Sequence, residues 1–197
     1  MTTDGKIEIM VASSVYSYED QINQVCGLFE QMGYHPINSH YKTLPTDPSK
    51  SNLENCLEAV RNCDAFFGIL RPNYGSGVIG STSITHEEMK KAIELKKPRW
   101  FVAHRDIRVA RILLKQYRFK DDGSPNELFV YRPNRLLDDI RVIDMYEDTI
   151  QNSIPPEERV GHWTDEFFDF NDIKKVINTQ FGDRDRILDI ITKMKAL

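Results

Sequence analysis

Short apolar runs alternate with stretches of helical periodicity along the first half of the chain. Four apolar runs predict strands, at residues 7–12, 34–39, 64–70 and 99–103. Three amphipathic stretches between them predict helices, at residues 17–32, 51–62 and 85–95. Alternation of this kind is typical of a three-layer α/β domain built on a parallel sheet. Ligands of such sheets bind beyond the carboxyl ends of the strands, which directs attention to the loops after residues 12, 39 and 70.

The second half of the chain has a less regular pattern. Helices are predicted at residues 106–119, 136–150, 171–181 and 184–194. Two further strands are predicted, a short one at residues 128–131 and a final edge strand at residues 163–170. One domain is the simplest account, with residues 1–105 as its core and residues 106–197 as a helical C-terminal elaboration.

Capping signals precede the first three predicted helices. Ser17 is placed to cap the first helix. Ser51 and Glu54 form an S-x-x-E capping box before the second. Thr85 and Glu88 match the same pattern before the third, with the Glu88 carboxylate folding back to the Thr85 amide.

Composition and charge narrow the functional classes. The 26 basic and 30 acidic residues leave a formal net charge of −4, which argues against a general binder of nucleic acids or membrane surfaces. The chain begins with polar residues and has no apolar run of about 18 residues, so we expect neither a signal peptide nor a membrane span. Three cysteines, an odd number, exclude a fully paired disulfide framework. Buried thiols and a reducing, cytoplasmic location are therefore expected.

Glu88 is the candidate catalytic residue, because it starts a helix directly after the longest loop of the predicted sheet. A carboxylate there can hold a sugar and stabilise the positive charge that develops when an N-glycosidic bond breaks. A cationic base such as the nicotinamide of NAD leaves without a general acid. The alternative is purely structural, since a capping box and the helix dipole both favour a glutamate at this point. Position alone favours the structural alternative.

Two loops offer candidate contacts to a substrate. After the first strand, Ser13, Ser14 and Tyr16 suit a phosphate or a ribose beside a helix N-terminus, although simple helix capping explains the serines equally well. The loop after the third strand contains G-x-G-x-x-G at residues 75–80. Four residues separate this motif from the next helix, so it is not expected to be a dinucleotide fingerprint.

Other site classes find little support in the sequence. The five histidines are dispersed without the spacing of metal ligands, so no metal site is expected. The absence of a G-x-S-x-G elbow argues against a serine hydrolase. Four aromatic residues are expected in the core rather than in a base-stacking platform: Trp163, Phe167, Phe168 and Phe170.

Five segments of the first half carry a family resemblance: IMVASSVYSYEDQ, MGYHPINS, SNLENCLEAVRNCDAFFGIL, NYGSG and ITHEEMKKAIELKKPRWFV. Over residues 7–105 the chain resembles Toll/interleukin-receptor (TIR) domains, and more closely an uncharacterised prokaryotic TIR-like family. The resemblance implies a flavodoxin-like parallel sheet with the strand order 2-1-3-4-5. Residues 40–50 match the TIR loop that gates the pocket and mediates assembly.

The same resemblance implies an enzyme that consumes NAD as its substrate, with no cofactor and no metal. Enzymatic TIR domains carry a catalytic glutamate in a W-x-x-x-E pattern, which places Glu88 at the glutamate and Ile84 at the aromatic position. Because Ile84 replaces the tryptophan, Tyr74 is the alternative aromatic surface. The implied substrate-binding set is Ser13, Ser14, Tyr16, Tyr74, Gly75, Ser76 and Ile84.

TIR enzymes of bacteria act in antiphage defence, where they deplete NAD or make a cyclic or modified ADP-ribose messenger. The implied partners are NAD or a related nucleotide, further copies of the chain, and an effector protein that responds to the messenger. Activity that depends on assembly follows from this, whereas nucleic acid and membrane are not expected partners. Two alternatives stay open: a non-enzymatic TIR-type interaction module, and a nucleotide hydrolase similar to nucleoside deoxyribosyltransferases.

Overall fold

The computed structural model describes residues 5–75, 78–79, 82–161 and 163–195. Its strands are β1 (Glu8–Ser13), β2 (His35–Ile37), β3 (Ala65–Leu70), β4 (Val78–Ile79), β5 (Thr82–Ser83), β6 (Arg99–His104) and β7 (Thr164–Phe167). Its α-helices are α1 (Glu19–Gln31), α2 (Asn52–Asn62), α3 (Ile84–Glu94), α4 (Arg105–Arg118), α5 (Arg141–Thr149), α6 (Phe170–Phe181) and α7 (Arg184–Lys195). A 3-10 helix spans Pro156–Glu158.

The central sheet is parallel, with the strand order β2-β1-β3-β6-β7. Counted over its own strands, this is the order 2-1-3-4-5, so the predicted flavodoxin-like arrangement is confirmed. β2, which contains Pro36, and β7 form the two edges, where they were expected. β4 and β5 form a separate antiparallel pair that the sequence pattern did not predict.

β3 lies at the centre of the sheet and is buried along its whole length, as its uninterrupted apolar run predicted. Gly68 allows the layers around it to approach closely. A Cβ at this position would lie 2.7 Å from Cδ1 of Phe101 and 3.2 Å from Cε of Met89. Any side chain at residue 68 would therefore push against the residue that follows Glu88 in α3.

Helices cover both faces of the sheet. α2, α3, α4 and α5 contribute to one core, together with Met10, Phe66 and Phe101 of the strands. α1, α6 and α7 form the other core with side chains from the opposite face of the same strands.

Phe181, at the end of α6, occupies the middle of the second core. Its ring centroid lies 4.9 Å from that of Phe29, 5.9 Å from that of Phe67 and 4.7 Å from that of Trp100. The hydroxyl of Tyr34 donates a hydrogen bond to the Phe181 carbonyl at 2.8 Å. Residues beyond 105 therefore supply both the fifth strand and part of the layer that covers the sheet.

Two predictions of local structure in the second half are wrong. Residues 128–131 form no strand, since Leu128 and Val130 are 91% and 79% exposed and no described strand lies beside them. The helix predicted from residue 136 begins only at Arg141. The side-chain oxygen of Asn134 accepts hydrogen bonds from the amides of residues 136 and 137, which holds these residues in a turn.

The aromatic residues near the end of the chain are not all in the core. Phe167 is buried, as predicted, but Trp163 is 71% exposed and Phe168 is 55% exposed. Trp163 precedes β7 and Phe168 follows it, whereas Phe167 is the last residue of the strand and packs into the second core.

The predicted helix caps have mixed outcomes. The capping box of Ser51 and Glu54 is present at α2. Ser17 does not cap α1: it has a φ of +59°, and its amide donates to the Glu19 carboxylate at 3.2 Å. α1 therefore starts after Tyr18, without a side-chain cap.

The cysteines are free and buried, as expected. Burial raises the pKa of Cys26 and of Cys56 to about 12 and that of Cys63 to about 11. Helices in the described part of the chain are too short or too polar to cross a membrane.

Candidate functional site

A cavity of about 340 Å³ opens at the carboxyl ends of β1 and β2. It lies where the chain order of the sheet reverses, because β1 has β2 on one side and β3 on the other. Parallel sheets bind their ligands at such a switch point. α2, α3 and the loop after β3 close the cavity, whose polar lining residues are Ser13, Ser14, Asn38, Ser39, Thr46, Asn52, Asn55, Thr85 and Glu88.

Glu88 is the acidic side chain of this cavity. Only 6% of its surface is exposed, and burial raises the pKa of its carboxyl to about 7. The thiol of Cys56 donates a hydrogen bond to the carboxylate, which partly opposes that increase in pKa. Among the described residues that line the cavity, Glu88 is the one that can carry a charge near neutral pH.

The capping-box interpretation of Glu88 is wrong. α3 begins at Ile84, and its N-cap is Ser83, whose hydroxyl accepts a hydrogen bond from the His86 amide at 3.3 Å. Glu88 is therefore the fifth residue of the helix, two residues beyond the amide that the cap satisfies. The helix start needs nothing from Glu88, and the carboxylate faces the cavity instead.

The loop after β1 brings two predicted residues into the cavity. Ser13 and Ser14 both line it. The Ser14 hydroxyl donates to the Asn73 carbonyl at 2.9 Å, and Arg71 donates to the carbonyls of Ser14 and Tyr16. Arg71 thus fixes this loop to the end of β3. The side chain of Tyr16 is 79% exposed and lies outside the cavity lining.

Tyr74 is a buried support of the site and does not line the cavity. Its hydroxyl lies 2.8 Å from Nδ1 of His86 and accepts a hydrogen bond from the Ser83 amide. His86 Nε2 lies 2.8 Å from a carboxylate oxygen of Asp148 in α5. These hydrogen bonds join the loop after β3 to the start of α3 and to α5. Tyr74 therefore gives the cavity no aromatic surface, whereas Gly75 and Ile84 line it.

Residue 75 must be a glycine for two reasons, the conformation of its backbone and the closeness of Ser14. Its φ is +91°, and a Cβ there would lie 3.1 Å from Cβ of Ser14. We expect Gly75→Ala to lower the free energy of unfolding by about 1–2 kcal/mol, as measured by urea denaturation.

Gly123→Ala is the matched control for Gly75→Ala. Gly123 has a φ of +81°, but a Cβ there would contact nothing within 4 Å. The difference between the two variants isolates the contact with Ser14. Equal losses of stability would contradict the close packing of the two loops.

One predicted residue cannot be placed. Ser76 lies outside the described residues, as do the second and third glycines of the G-x-G-x-x-G motif at residues 77 and 80.

Asn38 and Asn55 were missed by sequence reasoning, although the loop between them was expected at the site. Asn38 donates to the Val11 carbonyl at 2.8 Å and accepts from the Tyr41 amide. Asn55 accepts from the Asp47 amide at 2.7 Å and donates to the carbonyls of Asp47 and Ser51. The two amides anchor the loop at residues 39–51 at both ends.

The described part of the lining combines one carboxylate with neutral amides and hydroxyls. This composition suits a sugar, whose hydroxyls need both donors and acceptors. Groups of three or more His, Cys, Asp or Glu side chains with metal-site geometry do not occur in the described ranges.

Comparisons with known proteins describe a family without assigning an activity. A family model described as "Domain of unknown function (DUF4062)" matches residues 8–182. No curated protein matches the chain. A solved structure described as "2-desoxiribosyltransferase from Leishmania mexicana" aligns with a TM-score of 0.39 and 15% sequence identity, over 72% of this chain and 96% of that chain. The resemblance to TIR domains stays a prediction.

Proposed function

The chain belongs to the DUF4062 family, and we propose that it is an enzyme that breaks the N-glycosidic bond of a nucleotide, with Glu88 as its catalytic residue. The observation that carries this proposal is the burial of Glu88 at the sheet's switch point, in a helix that is capped by another residue. A buried carboxylate whose hydrogen-bond partner is a neutral thiol is costly to ionise, which is typical of a functional group rather than a structural one.

The lining favours a substrate whose base is cationic. Glu88 attracts a positive charge, and no second carboxyl group among the described lining residues can protonate a neutral base as it leaves. A cationic base such as nicotinamide needs no protonation, because it becomes neutral when it departs. NAD is therefore the proposed substrate.

The proposed reaction has one bond broken and one formed. The bond between C1′ of the ribose and the nicotinamide nitrogen breaks, and its electron pair stays with the ring. The Glu88 carboxylate stabilises the oxocarbenium-like sugar that forms. A water oxygen, or another oxygen or nitrogen of the nucleotide, then bonds to C1′, and one proton is released to the solvent from the acceptor group. The first acceptor gives ADP-ribose, and the second gives a cyclic product.

Assembly and signalling are proposed on the resemblance to TIR enzymes. The chain would self-associate through the loop at residues 40–50 and make a product that an effector protein detects, as in antiphage defence. A non-enzymatic interaction module is the competing proposal. It makes no use of a buried, ionisable Glu88.

Product analysis tests the proposal directly. The protein, at several concentrations, is incubated with NAD, with ribonucleosides and with deoxyribonucleosides, and the released bases are identified by mass spectrometry. Nicotinamide release that Glu88→Gln abolishes supports the proposal. Release of a neutral base alone would favour the alternative of a nucleotide hydrolase similar to nucleoside deoxyribosyltransferases. No release at any concentration would favour the interaction module.

The pH dependence of the rate should identify the ionised form of Glu88 as the active one. Because the pKa of the free enzyme is about 7, kcat/KM should fall about tenfold per pH unit below that value and level off above it. A bound cationic base stabilises the carboxylate, so the acid limb of kcat should lie at lower pH than that of kcat/KM. A kcat/KM that decreases above pH 7 would instead indicate that protonated Glu88 acts as a general acid.

A further inference from the structure

A second cavity, of about 400 Å³, lies at the opposite end of the sheet from Glu88. It is formed where β6 begins and where the chain enters β7, and α7 closes it. Three of its lining residues are cations, namely Lys97, Arg99 and Arg186, and both tryptophans of the chain line it as well. The described lining includes no Asp or Glu.

Arg99 is the most constrained of these cations. It is 9% exposed, and its Nε is a buried nitrogen without a hydrogen-bond partner in the described structure. Its other nitrogens donate to the carbonyls of Lys97 and Val160. Gly161 lies against the guanidinium with a φ of +64°, and a Cβ there would come within 3.1 Å of it. A buried cation that bonds only to neutral groups is electrostatically uncompensated.

The other two cations are also held by neutral oxygens. Lys97 donates to the carbonyls of Arg61 and Cys63, and Arg186 donates to the carbonyl and side-chain oxygens of Gln180. Their positive charges therefore add to that of Arg99 across one cavity. An anion placed there would interact with all three.

The tryptophans add an aromatic surface to this positive cavity. Trp163 is 71% exposed, and its indole nitrogen donates to Asp165, which orients the ring. Trp100 packs against Phe181 from the core side. A planar ring can stack on Trp163 while a phosphate reaches the cations.

We propose that this cavity binds a phosphorylated aromatic ligand of the size of a nucleoside monophosphate, with the phosphate held by Arg99 and Arg186 and the ring stacked on Trp163. The site is independent of the Glu88 cavity and of the reaction proposed there. The site binds the ligand through ionic and stacking interactions, and none of its residues takes part in the reaction at Glu88.

Tryptophan fluorescence tests the proposal, because both tryptophans of the chain lie at the site. The intact protein is titrated at low ionic strength with AMP, inorganic phosphate and adenosine. We expect saturable binding of AMP that is tighter than that of phosphate or adenosine and that weakens as salt is added. No saturable change at about 10 mM AMP, or equal binding of adenosine, would overturn the proposal.

Variants locate the binding. Arg186→Gln removes a cation from an exposed position and should weaken AMP binding about tenfold or more, the scale of a hydrogen bond to a charged group. Trp163→Leu should lower the affinity for AMP to that for phosphate. In this variant the fluorescence of the remaining tryptophan, Trp100, reports the binding. Lys193→Gln is the control, since Lys193 is on the same helix but pairs with Asp189 away from the cavity. Equal affinities of the Arg186 and Lys193 variants would contradict the assignment.

Discussion

Glu88→Gln is expected to lower turnover by roughly a hundred- to a thousandfold, the usual cost of removing one preorganised charge that faces a developing positive charge. The substitution keeps the size of the side chain and can still accept hydrogen bonds from a ribose. It removes the negative charge at the end of a buried side chain of α3. The experiment measures the turnover of NAD and the melting temperature of the wild type and the variant side by side.

Glu87→Gln is the matched control for this experiment. Glu87 is the neighbouring residue on α3, and its carboxylate accepts a hydrogen bond from the Thr82 hydroxyl and pairs with Lys90 outside the cavity. It lies about 100° around the helix from Glu88. The control should retain nearly full turnover. Wild-type turnover in Glu88→Gln, or equal losses in both variants, would remove Glu88 from the reaction.

The stability of the wild type should fall by about 3 kcal/mol between pH 4.5 and pH 8 relative to that of Glu88→Gln. The pKa of Glu88 is raised from 4.5 to about 7 in the folded state, so the folded protein binds its proton more tightly than the unfolded chain does. That stabilisation is complete below pH 4.5 and is lost as the pH rises through 7. Because glutamine does not titrate, the stability of the variant does not show this decrease with pH.

Urea denaturation of both proteins at several pH values measures the effect. The comparison cancels the other titrating groups, such as His104, whose pKa is lowered by burial in both proteins. Cys56 stays protonated throughout, because its pKa is about 12. Parallel stability curves for the two proteins between pH 4.5 and 8 would show that the Glu88 carboxyl is solvated.

The sheet could be predicted from the sequence because its inner strands are buried on both faces. β3 is an uninterrupted apolar run. Gly33 marks the end of α1, and Pro36 marks β2 as an edge strand. Residues 128–131 show why the same signal fails elsewhere. Their apolar side chains resemble a strand, yet they lie where no neighbouring strand can pair with them.

The candidate site was predictable in position but not in detail. Parallel topology placed Ser13, Ser14 and Glu88 at one edge of the sheet. The cap of α3 was misplaced because Ser83 and Thr85 carry equivalent hydroxyls two residues apart, and only packing selects between them. Tyr74 was expected at the surface of the cavity, and its hydrogen bonds to α3 turn it into the core. Asn38 gave no signal because asparagine is common in loops, and Asn55 gave none because it stands among the polar positions of the α2 pattern.

The position of Phe181 has a consequence for how the chain folds as it is synthesised. The strands β1, β2, β3 and β6 all leave the ribosome before α6 does. Until Phe181 arrives, the aromatic rings of Phe29, Phe67 and Trp100 lack the partner that packs among them. The nascent sheet therefore presents an apolar face over tens of residues of further elongation. An apolar face exposed during this interval is a surface through which nascent chains can aggregate.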